Sequence, residues 1–569
     1  MQQIKSMNRA AKRRQKKLAR KAAKNRRGHP RQPLGQGLGG APASRFSELV
    51  QKGTQLHQAG RVHEAETIYR RVLDINPDHA DANHLLGVLL LQAGNHAQAV
   101  DSISRAVAVA PDRPWYHSNL GAALQESGRL EEAVTSYRKA LAIAPDDAAA
   151  HNNLGNVLEI MGRLEEAVAS CHNALAIKPD YVAAHINLGN ALRHLGRLEE
   201  TIASYYKALA TKPDCAEAHS NLGNALKDLG QLDEAVASYR QALAIKPDYA
   251  DAHRNMSFTL LNDGRLKEGL DEYEWRWRTV KFASMARRFS RPLWDGIAEL
   301  KGRTILLWGE QGPQDMTIWS SCLPHLSHRA GHCIVECPAK LVPLFARSFP
   351  DLEVRPENRG SDAERDDFDF HLPMGSLFRH FLPELTAASG VKAFLAPDPD
   401  RVAFWKRRLG DMGPGPFVGI SWKSPLMTPQ RCQNYTELAD WAPAFANREA
   451  VFVNLQCKDY EDDLAMAKRD FGVTVHDFGD LNLYDDLDEV AALAGALDVA
   501  ISVSTAVAAI TAGVGTPTWV VAWRQSPWNN FLLAPRGPSV RFFERDTGES
   551  WDAAFISIAE CLAARADRG

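Results

Sequence analysis

The sequence predicts an α-solenoid of helix-pair repeats followed by a two-part α/β domain. Three observations predict it. Glycine, alanine and proline recur every 34 residues across 46–283. From about residue 300 the pattern changes to short apolar runs, each followed by a glycine turn or a helical stretch. The 569 residues are 45% hydrophobic and 24% charged, enough to bury sizeable cores, and 39 Gly with 30 Pro exclude a collagen-like or wholly disordered chain.

Residues 1–45 read as a basic arm and linker. Residues 1–31 carry 13 Lys or Arg and no acid, so the net charge of −2 hides an asymmetry: taking 13 from 67 leaves 54 basic against 69 acidic residues, a net of −15. Such an arm suits weak contact with an anionic surface, or simply solvation beside an acidic body. It has no aromatics to stack on bases, which speaks against specific nucleic-acid recognition. It also lacks the apolar core of a secretory signal, and no uninterrupted apolar run reaches 18 residues. Eight cysteines in a chain this long make no disulfide scaffold. Cys333 and Cys337 lack a second zinc-type pair and read as packing residues. A reducing cytoplasm is the expected compartment.

Residues 46–283 divide into seven units: 46–79, 80–113, 114–147, 148–181, 182–215, 216–249 and 250–283. One glycine series is Gly53, Gly87, Gly121, Gly155, Gly189 and Gly223, with Ser257 in seventh place. A second runs unbroken from Gly60 to Gly264, and a proline series from Pro77 to Pro247. Each unit reads as a helix, a tight turn at the second glycine, a second helix and a blocking proline. The first glycine lets the two helices approach, with the small residue of the series Ala65, Ala99, Ala133, Ala167, Thr201, Ala235 and Gly269 opposite it. Tyr69, Tyr137, Tyr205, Tyr239 and Tyr273, with Ile103 and Cys171 in the same slot, read as apolar plates between helices. These positions resemble the tetratricopeptide repeat. The units cannot fold singly, because each pair buries its face on its neighbours.

The first helices carry Asn119, Asn153, Asn187, Asn221 and Asn255, with a second series of Asn156, Asn190 and Asn224. Asparagine is a mediocre helix former. Its carboxamide both donates and accepts, which suits an extended peptide backbone. The other reading is that these amides bond to neighbouring helices and that close repeats share ancestry. The ladder resembles that of O-GlcNAc transferases, where such asparagines hold the acceptor polypeptide. Gln51 and Leu85 stand in phase in the first two units, so a groove is expected in units three to seven. The last unit ends Glu274-Trp275-Arg276-Trp277-Arg278, as a docking end would, and 284–300 is a connector.

From 301 to 412 a small α/β half is expected. Its strands are Thr304–Trp308, Cys333–Glu336, Leu352–Val354 and Asp367–Phe370, with helices from Met316 towards Leu326 and over Lys340–Phe349. A second, nucleotide-binding-like half fills 413–569, with strands Phe417–Trp422, Val451–Leu455, Thr474–His476, Val499–Val503 and Thr518–Val521. Two Rossmann-like halves are what the GT-B architecture of nucleotide-sugar glycosyltransferases contains, though many functions share such folds. Asp367-Phe368-Asp369 and Asp398-Pro399-Asp400 have metal-motif spacing without supporting context and read as structural. No metal site is expected.

Five segments carry a closer resemblance: Trp308-Gly309-Glu310-Gln311-Gly312 with Asp315, Gly419–Lys423, Ser504–Ala508, Glu274–Trp277 and Leu293–Gly296. Over 46–569 the chain resembles bacterial tetratricopeptide-repeat proteins with a C-terminal glycosyltransferase-like domain, and more distantly heptosyltransferases and O-GlcNAc transferases. The resemblance implies a metal-independent glycosyltransferase with no permanently bound cofactor. It would move a sugar from a nucleotide-sugar donor to a protein or glycan acceptor held by the repeats. It implies Asp315, then Glu310, as general base; Ser504 and Thr505 amides and Lys423 on the diphosphate, with Gly312 and Ser421 beside them; and Trp519 and Trp523 flanking a base or sugar, or serving as core. His476 stands at a strand end facing the same side. Two departures point the other way. Gly312-Pro313-Gln314-Asp315 replaces Gly-Leu-Gly-Asp, and Ala509 stands where relatives have histidine. They imply the alternative, a non-catalytic peptide-binding scaffold with a degenerate α/β domain.

Overall fold

The computed structural model describes residues 42–566, apart from 359, 361, 363–364, 388–392, 425–433, 525–539 and 547–548. The basic arm and most of its linker lie outside the described residues. The chain forms two compact units, Met1–Pro145 and Asp146–Gly569.

The first unit holds three helix pairs: Pro42–Gln58 with Val62–Ile75, Ala80–Gln92 with His96–Val109, and Pro114–Glu126 with Leu130–Ile143. The second opens with four more, from Ala148–Ile160 to Leu266–Tyr273. The turn glycines Gly60 to Gly264 adopt φ between +73° and +83°, a region that penalises any Cβ. The other glycine series works by close approach. A Cβ on Gly189 would sit 2.5 Å from the Tyr205 ring, and one on Gly155 would sit 2.7 Å from Cys171 Sγ. Ser257 replaces the seventh of these glycines, and its hydroxyl donates to the Gly269 carbonyl at 2.7 Å.

The α/β part contains two all-parallel sheets. The first has the order β3-β2-β1-β4, from β1 (Thr304–Trp308), β2 (His332–Cys337), β3 (Glu353–Pro356) and β4 (Phe370–Pro373). The expected strand at 367–370 starts later, at Phe370; the Asp369 amide donates to the Thr304 carbonyl at 2.8 Å, and its carboxylate accepts from the Thr304 amide at 2.9 Å where a strand would use its carbonyl. The helical stretch expected from Met316 towards Leu326, with Pro324 kinking or ending it, is observed as Pro313–Trp319, a 3₁₀ turn and Leu323–Ser327; Pro324 lies in the first turn of the last piece, and the break falls before it. Likewise the helix expected from Lys340 begins at Val342, after a 3₁₀ turn, with Pro343 in its first turn.

The second sheet has the order β10-β9-β8-β5-β6-β7. Its strands are β5 (Phe417–Ser421), β6 (Val451–Asn454), β7 (Val475–His476), β8 (Val499–Val503), β9 (Thr518–Trp523) and β10 (Val540–Arg545). Val418 and Ile420 of β5, and Trp422 directly after it, feed one core with Trp441 and Phe555. A larger core joins both halves to Leu261 and Leu270 of the last repeat. The connector belongs to the first half: Leu293 bridges His371 of β4, and Trp294 is buried beneath it. Asp398 accepts from the Asp400 and Arg401 amides and caps the helix Pro399–Gly410, so that carboxylate pair is structural. Among the described residues no cluster of metal-ligating side chains occurs, and no helix is long and apolar enough to cross a membrane.

Candidate functional site

In an open parallel sheet, ligands bind at the carboxyl ends of the strands where the order reverses. In the second sheet that point lies between β5 and β8, whose register pairs Ser421 with Ser502. The expected residues Ser421, Lys423, Ser504 and Thr505 therefore come to neighbouring strand ends. Thr505 is the N-cap of Ala506–Val514 yet makes no side-chain cap, so its hydroxyl leaves that helix's first amides unclaimed.

The polar groups around β5 are engaged. Gln456 Oε1 accepts from Ser421 Oγ at 3.2 Å, from the Trp422 amide at 3.2 Å and from the Lys423 amide at 3.1 Å. Asp463 Oδ2 accepts from Lys423 Nζ at 2.7 Å and from the Trp422 indole at 2.8 Å. Ser421 is buried, and the Lys423 side chain is 20% exposed. Ala509 is buried in the shared core, so no polar side chain reaches the strand ends from that position.

In the first sheet the reversal lies between β1 and β4, and a side chain from the last repeat occupies it. Arg276 donates to both Glu310 oxygens at 2.9 Å, to Ser376 Oγ at 3.0 Å and to Glu274 Oε1 at 2.7 Å. Its guanidinium also lies over the Tyr273 and Trp277 rings. Glu310 has no exposed side-chain surface. Burial pushes its carboxyl up, while Arg276 pulls it down. Glu310, expected as the second general base, thus serves as the anchor for Arg276 and offers no atom to a ligand in this arrangement. Trp275 turns back onto the repeats and stacks on His253 at 3.7 Å, while Trp277 meets Trp308 of β1 at 5.4 Å.

The two halves meet beside Asp315. Gln314 Nε2 donates to Ser504 Oγ at 3.0 Å, so Gln314 ties the turn after β1 to the end of β8. Asp315, half-buried, lies in the first turn of Pro313–Trp319, and Gly312 is the N-cap. A Cβ on Gly312 meets nothing within 4 Å at an ordinary φ of −76°, so the fold does not demand glycine there. Trp519 is a core residue against Phe543. Trp523 ends β9, and His476 ends β7 half-buried. Burial pushes the Cys333 and Cys337 thiols up to about 12, as expected of packing residues.

The expected groove asparagines are all half-buried on their helices. In the first unit, Asn119 Nδ2 donates to His84 Nε2 at 2.7 Å; burial holds that imidazole down at about 4, so it is a neutral acceptor. In the second unit, Asn187 donates to Asn152 at 2.9 Å and Asn221 to Asn190 at 3.2 Å. Tyr205 and Tyr239 donate to Asn190 and Asn224 at 2.7 and 2.8 Å. Asn153 accepts from Asn152 at 3.3 Å. Asn156 is partnered, and Asn255 lies in phase on Ala250–Asn262. Many of these amides are therefore held by neighbours.

Sequence reasoning missed a histidine series with the same period. His117, His185, His219 and His253 use Nε2 on the carbonyls of Pro111, Pro179, Pro213 and Pro247, at 2.9–3.0 Å. Asn83 does the same for Pro77 at 2.7 Å. Their periodicity was the available signal. Arg276, Gln456 and Asp463 carried no such signal, since their partners lie far along the chain.

Family models match the repeats: one described as TPR repeat over 126–162, 189–230 and 223–264, and two described as Tetratricopeptide repeat over 56–124 and 148–181. These stretches are tetratricopeptide repeats. The chain is 33% identical over 297 residues to Protein FlbA of Caulobacter vibrioides, a match covering 49% of this chain and 50% of that protein. It thus spans about half the length of the curated relative it matches. Among solved structures it is similar to a thermophilic TPR protein of Thermus thermophilus (27% identity, 32% of this chain, 98% of that one, TM-score 0.28). It is also similar to YrrB, a TPR protein with an unusual peptide-binding site (22%, 32%, 92%, TM-score 0.27). A third is PilF of Pseudomonas aeruginosa (20%, 37%, 96%, TM-score 0.33).

Proposed function

We propose that this chain is a peptide-binding protein whose repeats hold an extended segment against the asparagine-bearing helices. The carboxamide series of the second unit carries this reading. Asn187 and Asn221 are already oriented by neighbouring amides, so an extended backbone meets donors and acceptors whose rotamers are set. The engaged state of Glu310, Ser421 and Lys423 supports a binding role for the α/β part over a catalytic one. No permanent cofactor is required, and the cytoplasm is the proposed compartment. The test is a displayed-peptide selection on the full chain, followed by titration of the enriched peptides. A variant with Asn153, Asn187, Asn221 and Asn255 changed to Ala is expected to bind them at least about tenfold more weakly, a loss of roughly 1.4 kcal/mol. Equal binding by folded variant and parent overturns the reading.

A second reading, glycosyl transfer, is favoured by the strand order of the second sheet. There Asp315 takes the proton of an acceptor hydroxyl, and that oxygen bonds to the anomeric carbon of a nucleotide sugar. The bond to the diphosphate breaks, and the departing charge falls to the amides after Ser504 and to Lys423. Calorimetric titration with UDP, GDP, ADP and CMP tests it. Binding of one nucleotide that is lost in Lys423→Ala supports this reading; no binding by any of them removes it.

A further inference from the structure

A second cationic locus lies away from Lys423, and neither reading above uses it. Lys340 follows the end of β2, Lys458 follows the end of β6, and Tyr484 lies in the segment after β7. Lys340 Nζ sits 4.1 Å from the centre of the Tyr484 ring, and Lys458 Nζ sits 4.0 Å from it. Lys340 also donates to the Tyr484 carbonyl at 2.9 Å, so the contact spans the two halves. Among the described residues, neither ammonium has a carboxylate within ion-pair distance.

The nearby acids serve other partners. Asp485 accepts from the Asn482 amide, Asp486 caps Leu487–Ala494, and Asp488 pairs with Arg347. Both ammoniums lie about 4 Å from the same ring centre, so they are at most about 8 Å apart. Tyr484 is 40% exposed and Lys458 is exposed, so the locus is open to solvent. Directly after Lys458 the backbone passes through Asp459 at φ +53°, the one non-glycine residue with positive φ among those described. Such backbone strain gathers at binding and switch sites. The strand-end position is where α/β sheets take ligands.

We propose that Lys340 and Lys458, one from each α/β half and braced on Tyr484, form an anion clamp for a diphosphate group. Two ammonium groups held near one ring repel each other, and each has N–H donors left over. A compact anion with two linked phosphoryl groups meets both charges at once and relieves that repulsion. A carboxylate or monophosphate brings less negative charge to the pair and is expected to bind more weakly. Because the lysines come from different halves, the bound anion also fastens the halves together.

The test is calorimetric titration of the full chain with inorganic pyrophosphate and inorganic phosphate at low ionic strength. Pyrophosphate is expected to bind more tightly than phosphate. Lys340→Gln and Lys458→Gln are each expected to weaken it by about tenfold, while Lys406→Gln, at an exposed lysine of Pro399–Gly410, leaves it unchanged. Parallel titration with UDP and ADP shows whether the diphosphate is free or nucleotide-borne. Circular dichroism melts establish that each variant is folded. The proposal is overturned by absence of pyrophosphate binding, by binding that both glutamine variants retain, or by binding that only Lys423→Ala removes. The last outcome places the anion at the β5–β8 strand ends instead. The clamp and the glycosyl-transfer reading therefore stand or fall separately.

Discussion

Arg276 and Glu310 form an ion pair in which neither side chain has any exposed surface, and the pair joins the last repeat to the end of strand β1. A buried pair of this kind adds little net stability over an apolar pair of the same shape. Losing one partner is costly, because the other charge stays buried. Arg276→Met is therefore expected to destabilise the second unit by about 3–5 kcal/mol in urea unfolding. The double variant Arg276→Met/Glu310→Leu should recover most of that loss. If the double variant is as unstable as the single, the hydrogen bonds to Ser376 and Glu274 carry the effect instead.

The two glycine series are expected to fail for different reasons. Gly189→Ala gains about 1 kcal/mol of helix propensity. It also drives a methyl to 2.5 Å from the Tyr205 ring. Overpacking of that sort costs roughly 1–3 kcal/mol, so a net loss is expected. Gly196→Ala meets nothing within 4 Å but must hold φ +75°, and a side chain there costs about 1–2 kcal/mol. Adding Tyr205→Ala should relieve the first substitution and leave the second unchanged. Thermal melts of the four variants decide it.

Stability should fall on mild acidification. Burial depresses His84 to about 4, and burial with the nearby Arg287 charge depresses His371 to about 4. The unfolded rings take up a proton near pH ~6.5. Between those values the unfolded chain binds more protons than the folded one, so stability drops as pH falls through the window. Above it both rings are neutral in either state and the loss vanishes. Unfolding midpoints between pH 7.5 and 4.5 are expected to decline, and less steeply in His84→Gln/His371→Gln. Equal slopes would remove these two rings as the cause.

The repeats were legible because each structural demand recurs at one period. The glycine opposite Tyr205 is the same demand as the glycine opposite Tyr239, and repetition exposes it. The histidines on the proline carbonyls repeat as faithfully. What the period does not reveal is their partner, since any backbone carbonyl can accept. Strand β10 was missed because Val540–Arg545 is a half-buried edge strand with interspersed charges, not a continuous apolar run. Lys423 was found at a strand end by pattern, but its partners Gln456 and Asp463 lie 33 and 40 residues further on. Glu310 looked like a base because nothing in its own neighbourhood reveals that Arg276 occupies it. Local pattern reports where a side chain is placed along an element. What that side chain touches is set by distant packing.

Asp463 holds the β5 strand end in its present state. It takes a hydrogen bond from Lys423 and another from the Trp422 indole, and both side chains of the ion pair are 20% exposed. A phosphate arriving at Lys423 must compete with that carboxylate. Asp463→Asn keeps an oxygen for the indole and removes the competing charge. If Lys423 receives a donor diphosphate, this variant is expected to bind the preferred nucleotide more tightly by up to roughly fivefold, since a solvent-accessible ion pair is worth about 1 kcal/mol or less. Lys423→Ala should bind more weakly than either. If Asp463→Asn changes unfolding stability alone, and nucleotide heats stay flat in both variants, Lys423 belongs to the packing of the β5 end, and the peptide-binding reading stands without a donor site there.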